Sequence, residues 1–233
     1  MKNIFLVLLL LITINAFPQK YNYPITPESE EWKRFESTQE MYNACQIEKN
    51  ELMTMKTYDL ILSCLDYPLI SLIYAFNDIQ RGFDTISNNF NGLEELTNRD
   101  DAAKELLKMY KNIEPSSILK RTNLVEKGEY VNRVGYIEIM LAQKFVHNLS
   151  ITEKKELVTA CIEKFKEKEK FKDNFGDQGT AITAWVISKI IYENSRNDLS
   201  KDIPRYIFNN QGIVIDSTVV EKTLEEGRIY IKN

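Results

Sequence analysis

A single histidine, three cysteines, eight glycines and two tryptophans are all that this 233-residue chain offers of the residues that most often carry chemistry. A zinc hydrolase places two histidines on one helical turn, and zinc sites in general draw on several His or Cys side chains. His147 alone, with Cys45, Cys64 and Cys161 scattered far apart, supplies no such spacing. A nucleophilic Cys–His pair between His147 and any of the cysteines is formally possible, and no local signature accompanies it. His147 reads instead as a residue at a helix end beside solvent. No G-x-S-x-G, phosphate-binding glycine loop or dinucleotide fingerprint occurs. The acidic run Asp173-Asn174-Phe175-Gly176-Asp177 lacks the alternation and closing glutamate of a calcium loop. The sequence therefore implies no catalytic residue, metal or cofactor.

Positive charge is also lacking. With 30 Lys+Arg against 34 Asp+Glu the net charge is −4, which leaves no basic footprint for nucleic acid. Long apolar runs are missing except at the start, where Ile4 to Ile12 follows Met1-Lys2-Asn3 and precedes Thr13-Ile14-Asn15-Ala16. A basic start, a short apolar core and a small residue form the pattern of a secretory signal peptide. The run is too short to span a bilayer. Cleavage after Ala16 is expected, giving Phe17 as the new N-terminus, an exported product and no membrane span thereafter. No cysteine lies near this junction to take a lipid. Leu60–Phe76, the next apolar stretch, is interrupted by Ser63, Asp66, Pro68 and Ser71.

What is present is helical patterning. A leader over 17–31 contains Pro18, Pro24 and Pro27, which keep it extended, and Trp32 is placed to dock its end. Ser37-Thr38-Gln39-Glu40 fits a capping box, with Met41, Ala44 and Cys45 on one face behind it. Thr57 is expected to cap a helix bearing Leu60, Ile61, Cys64 and Leu65, which Tyr67-Pro68 ends. Further helices are expected from Pro68 to Phe76, over Ile79–Phe90, around Leu93–Leu96 and, capped by Asn98 or Asp100, through Ala102, Ala103, Leu106, Leu107 and Tyr110.

Residues 113–133 are polar and aperiodic and read as a connector, followed by a helix over Val134–Val146. Ser150-Ile151-Thr152-Glu153 is a second capping box. Behind it Leu157, Cys161 and Phe165 share a face. Lys154, Lys155, Glu163, Lys164, Lys166, Glu167, Lys168, Glu169 and Lys170 read as a solvated one. Gly176 and Gly179 break the chain, and Thr180–Tyr192 forms an apolar helix. The last segment, with Gly212–Asp216 and Arg228–Ile231, has the β-branched content of short strands.

The fold class that follows is all-α: an irregular array or bundle of short helices with a loose recurrence near twenty residues and a small strand-like C-terminal tail. The expected organisation is a helical half over 32–112 and a second over 134–233, packed as one domain. Cys45 and Cys64 could form a disulfide if their helices meet, since an exported chain permits it. The alternative is three small buried thiols.

The segment 28–112 resembles an uncharacterised family of exported bacterial all-helical proteins. The resemblance rests on Glu31-Trp32-Lys33, Ala44-Cys45-Gln46-Ile47, Met55 to Leu65 with Tyr67-Pro68-Leu69, and Gly82-Phe83. It continues through Phe90-Asn91-Gly92-Leu93-Glu94-Glu95-Leu96 and from Arg99-Asp100-Asp101-Ala102 through Leu106-Leu107 to Tyr110. Glu48 departs from it, where a proline is expected after Ile47. The resemblance implies a helical fold and export, and no activity.

The function expected is a scaffold that binds an unknown protein or peptide partner. The aromatics Tyr67, Tyr74, Phe76, Phe83 and Phe90 would form a recognition surface if exposed together. Two alternatives stand beside it. One is a secreted hydrolase using paired carboxylates, for which Glu94, Glu95, Asp100 and Asp101 are candidates. The other is a structural, envelope-associated component.

Overall fold

The computed structural model describes residues 20–195, 213 and 215–233. The expected signal peptide Met1–Ala16 lies outside the described residues. The described chain is mainly helical, with no strand among the described residues. Ten α-helices follow one another: α1 Thr38–Ala44, α2 Lys49–Thr54, α3 Thr57–Leu65, α4 Ile79–Ser87, α5 Asn91–Thr97, α6 Ala102–Lys111, α7 Leu124–Leu141, α8 Ile151–Lys170, α9 Lys172–Ser195 and α10 Ser217–Lys232. Short 3-10 segments at Trp32–Arg34, Ile70–Ala75, Pro115–Lys120 and Lys144–Asn148 fill turns between them.

The start of the described chain lies against α3. The amide of Tyr21 donates to Ser63 Oγ at 2.8 Å, and the Tyr23 hydroxyl donates to the Ser63 carbonyl at 3.0 Å. Both rings are buried, so these tyrosines, more than the partly buried Trp32, dock the leader. Ser37 caps α1 by accepting from the Glu40 amide, while Glu40 accepts from Glu36 rather than from Ser37. Thr57 is the first residue of α3 rather than its cap, and its hydroxyl donates to Asp101 Oδ1 at 2.7 Å. Side-chain amides then tie distant turns together. Asn91 accepts from the Ile47 amide at 3.0 Å and donates to the Ile47 carbonyl at 2.8 Å. Gln46 answers by accepting from the Asn91 amide at 2.9 Å. Arg99 closes the end of α2 by donating to the carbonyls of Leu52 and Met55 at 2.9 and 2.6 Å. Those carbonyls have no partner within their own helix, and an arginine satisfies two at once.

The second half is built on longer helices. α8 packs along α9, α7 lies on another side of α9, and α10 covers the groove between α8 and α9; α6 joins the two halves through α7 and α8. One core runs continuously from Tyr21 through Leu224. Each fully buried Leu, Ile or Phe in it contributes about 1.5–3 kcal/mol relative to exposure. Ser150 and Glu153 form the expected capping box at the start of α8. Gly176 breaks α9 as expected, with φ at +62°, a conformation that L side chains rarely adopt, whereas Gly179 stays helical.

Three expectations are corrected. Arg228–Ile231 is not a strand but the end of α10, and Gly212 and Val214 lie outside the described residues. Thr223, Leu224 and Gly227 recur at helical spacing, and a Cβ on Gly227 would sit 3.0 Å from Ile187 and 3.3 Å from Val158. Packing against α8 and α9 thus overrides β-propensity. The connector over 113–133 is largely helical, since α7 starts at Leu124 with Asn123 as its cap. Its first half is exposed, so no apolar period marks it. Finally, the charged face of α8 is not wholly solvated: Lys154, Lys164 and Lys168 are buried.

Candidate functional site

The nominated carboxylates have structural partners or stand apart. Glu95 pairs with Arg99 at 3.0 Å, and Asp101 accepts from Thr57. Glu94 and Asp100 are exposed. Among the described residues, none of these four lines the recesses described below. His147 is exposed on the turn Lys144–Asn148, whereas all three cysteines are buried. Of the five aromatics nominated, Tyr67, Phe83 and Phe90 are buried, whereas Tyr74 and Phe76 are half-buried. Tyr67 stacks on Phe90 at 3.8 Å between ring centres, Tyr23 meets Tyr67 edge-on at 5.9 Å, and Phe83 is buried. They form no exposed surface together.

Cys45, Cys64 and Cys161 stand as free thiols. Burial pushes the Cys45 thiol up to about 11 and raises the other two further. Such thiols are poor nucleophiles at neutral pH. Among the described residues no group of three His, Cys, Asp or Glu is placed to hold a metal ion.

The charges that sequence reasoning missed lie inside. Lys168 on α8 and Glu138 on α7 are 1% and 0% exposed and pair at 2.6 Å. Lys168 Nζ also donates to Thr183 Oγ1 at 2.9 Å and to the Gly179 carbonyl at 3.0 Å, both on α9. Glu138 Oε1 accepts from Tyr110 on α6 at 2.7 Å and from Thr183 at 2.9 Å. All three ammonium protons are used and both carboxylate oxygens are occupied. Burial, with the nearby Cys161 and Glu138, holds the Tyr110 hydroxyl well above its ordinary value, so it stays a donor. A fully satisfied network of this kind clamps four helices and has no free group to act on a substrate. Lys164, also buried, donates to the carbonyls of Lys111 and Ile113 at 3.3 and 2.8 Å, a positive charge at the C-terminal end of α6.

The outer surface is different around the start of α7. Leu119, Leu124 and Val125 are 71%, 85% and 70% exposed. A Cβ on Gly128 would meet nothing within 4 Å outside its own helix turn, and the buried part of α7 begins only at Val134. Two recesses flank this half-helix, of about 430 and 440 Å³, and they share Arg121, Tyr130 and Arg133. Arg133 is neutralised by Asp66 at 2.6 Å. Arg121 is not neutralised: its guanidinium lies over the Tyr130 ring, 5.0 Å from the centre, with no carboxylate at ion-pair distance among the described residues. Tyr130 is itself fixed by donating to the Glu114 carbonyl at 2.6 Å. Glu126 is tied to the cap by Thr122 and Asn123. The arrangement presents a held guanidinium beside exposed aliphatic side chains, suited to binding rather than to bond making.

No helix among the described residues is long and apolar enough to cross a membrane. Comparison with protein-family models, with curated proteins and with solved structures finds no match to this chain.

Proposed function

We propose that this chain is an exported helical scaffold that binds a partner protein through the 3-10 segment Pro115–Lys120 and the first half of α7. The observation that carries this is the exposure of Leu119, Leu124 and Val125 beside Arg121, which forms no ion pair among the described residues. Exposed aliphatic side chains grouped around an oriented arginine are the composition of an interface anchor. The occupant that fits is a protein segment with apolar side chains and at least one carboxylate. Export rests on the apolar start Ile4–Ile12 and agrees with the resemblance over 28–112. The hydrolase reading has less support, because Glu95 and Asp101 are already engaged within the fold.

The test is capture of partners from the exported fraction by the full chain, in parallel with Arg121→Glu and Leu124→Glu. Both side chains are exposed, so the melting temperature should be unchanged within about 0.5 kcal/mol of stability. A partner held by the native chain and lost by both variants supports the reading. No enrichment over a control, or capture indifferent to both changes, refutes it. N-terminal sequencing of the exported protein should give Phe17, and recovery of intact Met1 outside the cell would refute signal cleavage.

A further inference from the structure

A cleft of about 510 Å³ lies between α4, the end of α5, the turn Lys144–Asn148 and the last turns of α9, away from the Arg121 surface. That volume suits a small ligand rather than a protein chain. Its polar groups are arranged by charge. Asp84 on α4 is exposed, and Lys144 and Lys189 enter from the turn and from α9. Between them lies a pair of oriented amides. Gln80 Nε2 donates to Asp84 Oδ1 and to Gln143 Oε1, both at 2.9 Å, and Gln143 Nε2 donates to the Ile139 carbonyl at 2.6 Å.

Lys189 is the unusual member. It is partly buried against the Trp185 ring, 5.1 Å from the centre, and among the described residues its hydrogen-bond acceptor is Gln80 Oε1 at 3.5 Å. No carboxylate lies within ion-pair distance of it among the described residues, although Asp84 and Asp78 are near enough to act on its charge. Burial lowers its affinity for a proton, as expected of an ammonium that has lost water and has no carboxylate at ion-pair distance to offset that loss. Lys144 likewise forms no ion pair among the described residues, and neither does Asp84. Two cations without an ion pair among the described residues therefore line one cleft with a carboxylate and a pair of amides. A molecule with a carboxylate at one end, an ammonium at the other and amides between them complements this pattern.

We propose that this cleft binds a short peptide with free termini: its carboxylate on Lys189 and Lys144, its ammonium on Asp84 and its backbone amide against Gln80 and Gln143. The site shares no residue with the Arg121 surface, so either can fail without the other.

The test uses tri-alanine, its N-acetyl form and its C-terminal amide, titrated into the untagged full chain by calorimetry. His147 lines the cleft and is the chain's one histidine, so its imidazole proton resonance is a single reporter of occupancy. Tri-alanine should bind and shift that resonance. Each blocked form, and each of Lys189→Met and Asp84→Asn, should bind about tenfold more weakly or worse, the loss of one charge-assisted hydrogen bond. Asp84 is exposed, so Asp84→Asn should fold even if Lys189→Met does not. Absence of heat and of a shift at millimolar tri-alanine overturns the proposal. Equal binding of the N-acetyl form or the amide overturns the zwitterion, leaving a site for a single charge.

Discussion

Replacing Lys168 by methionine removes the ammonium that three helices share while keeping most of its stem. Glu138, fully buried, then retains donors from Tyr110 and Thr183 but loses its counter-charge at 2.6 Å. Taking away one member of a buried ion pair typically costs about 3–5 kcal/mol, because the remaining charge is left uncompensated. The Gly179 carbonyl loses a donor as well, and the contact of the ammonium with the Phe175 ring, 5.4 Å away, disappears. In a chain of this size each kcal/mol is worth roughly 2–4 °C in melting temperature, so Lys168→Met should melt roughly 6–20 °C lower. Urea unfolding followed by far-UV circular dichroism measures the same loss. The double change Lys168→Met with Glu138→Leu removes both charges, and it should recover most of the loss, since an apolar replacement of a buried pair is often neutral or better. Coupling between the two changes should therefore exceed about 2 kcal/mol. A loss below about 1 kcal/mol for Lys168→Met, or a double variant no more stable than the single, would refute the view that this pair is a closed, water-free clamp.

Three further outcomes follow from other parts of the molecule. Gly82→Ala puts a methyl 2.1 Å from the Ile73 carbonyl oxygen, a backbone atom that cannot rotate away. It should cost at least about 2 kcal/mol in urea unfolding, and a neutral result would mean that α4 and the turn Ile70–Ala75 are not in close contact. Burial opposes the ionisation of Asp66, yet hydrogen bonds and charge from Lys20 and Arg133 outweigh it and hold the carboxyl below its ordinary value. Its contribution to stability is present above about pH 4 and falls away as pH drops through the lower folded value. Asp66→Asn should therefore flatten the acid limb of a stability–pH profile. An unchanged acid slope would contradict this. Thiol titration should find no rapidly reacting cysteine in the native chain and three after denaturation without reductant. A count of one would instead place a disulfide between two of them, with Cys45 and Cys64 the expected pair.

Local signals in the chain were reliable where the physics is local. Ser150 and Glu153 lie three residues apart and close their capping box without help from elsewhere. Pro68 ends α3, Gly176 takes the positive φ, and the stripe from Ala102 to Tyr110 is buried as its period requires. Periodicity failed where burial and helicity part company. The first half of α7 is helical but exposed, so it carries no apolar stripe and reads as a connector. The converse error occurred in α10, where Ile229 and Ile231 have strand-like chemistry but sit in a helix packed on α8 and α9.

The candidate sites were less legible still. Arg121 and Tyr130 lie nine positions apart and meet only because the chain turns between the 3-10 segment and α7. Gln80 meets Gln143 and Lys189 across separations of 63 and 109 residues. Sequence alone settled that the described chain is helical and where many of its helices are capped, because a capping hydrogen bond spans one turn. Only the tertiary structure decided which partners meet the buried charges. Lys168 falls on the α8 face of Leu157, Cys161 and Phe165 and Lys170 on the opposite, exposed face, but nothing near Lys168 in the chain reveals that Glu138, Gly179 and Thr183 enclose it. Those partners are brought to it by how α7 and α9 lie on α8, over separations of 11, 15 and 30 residues that no local pattern encodes.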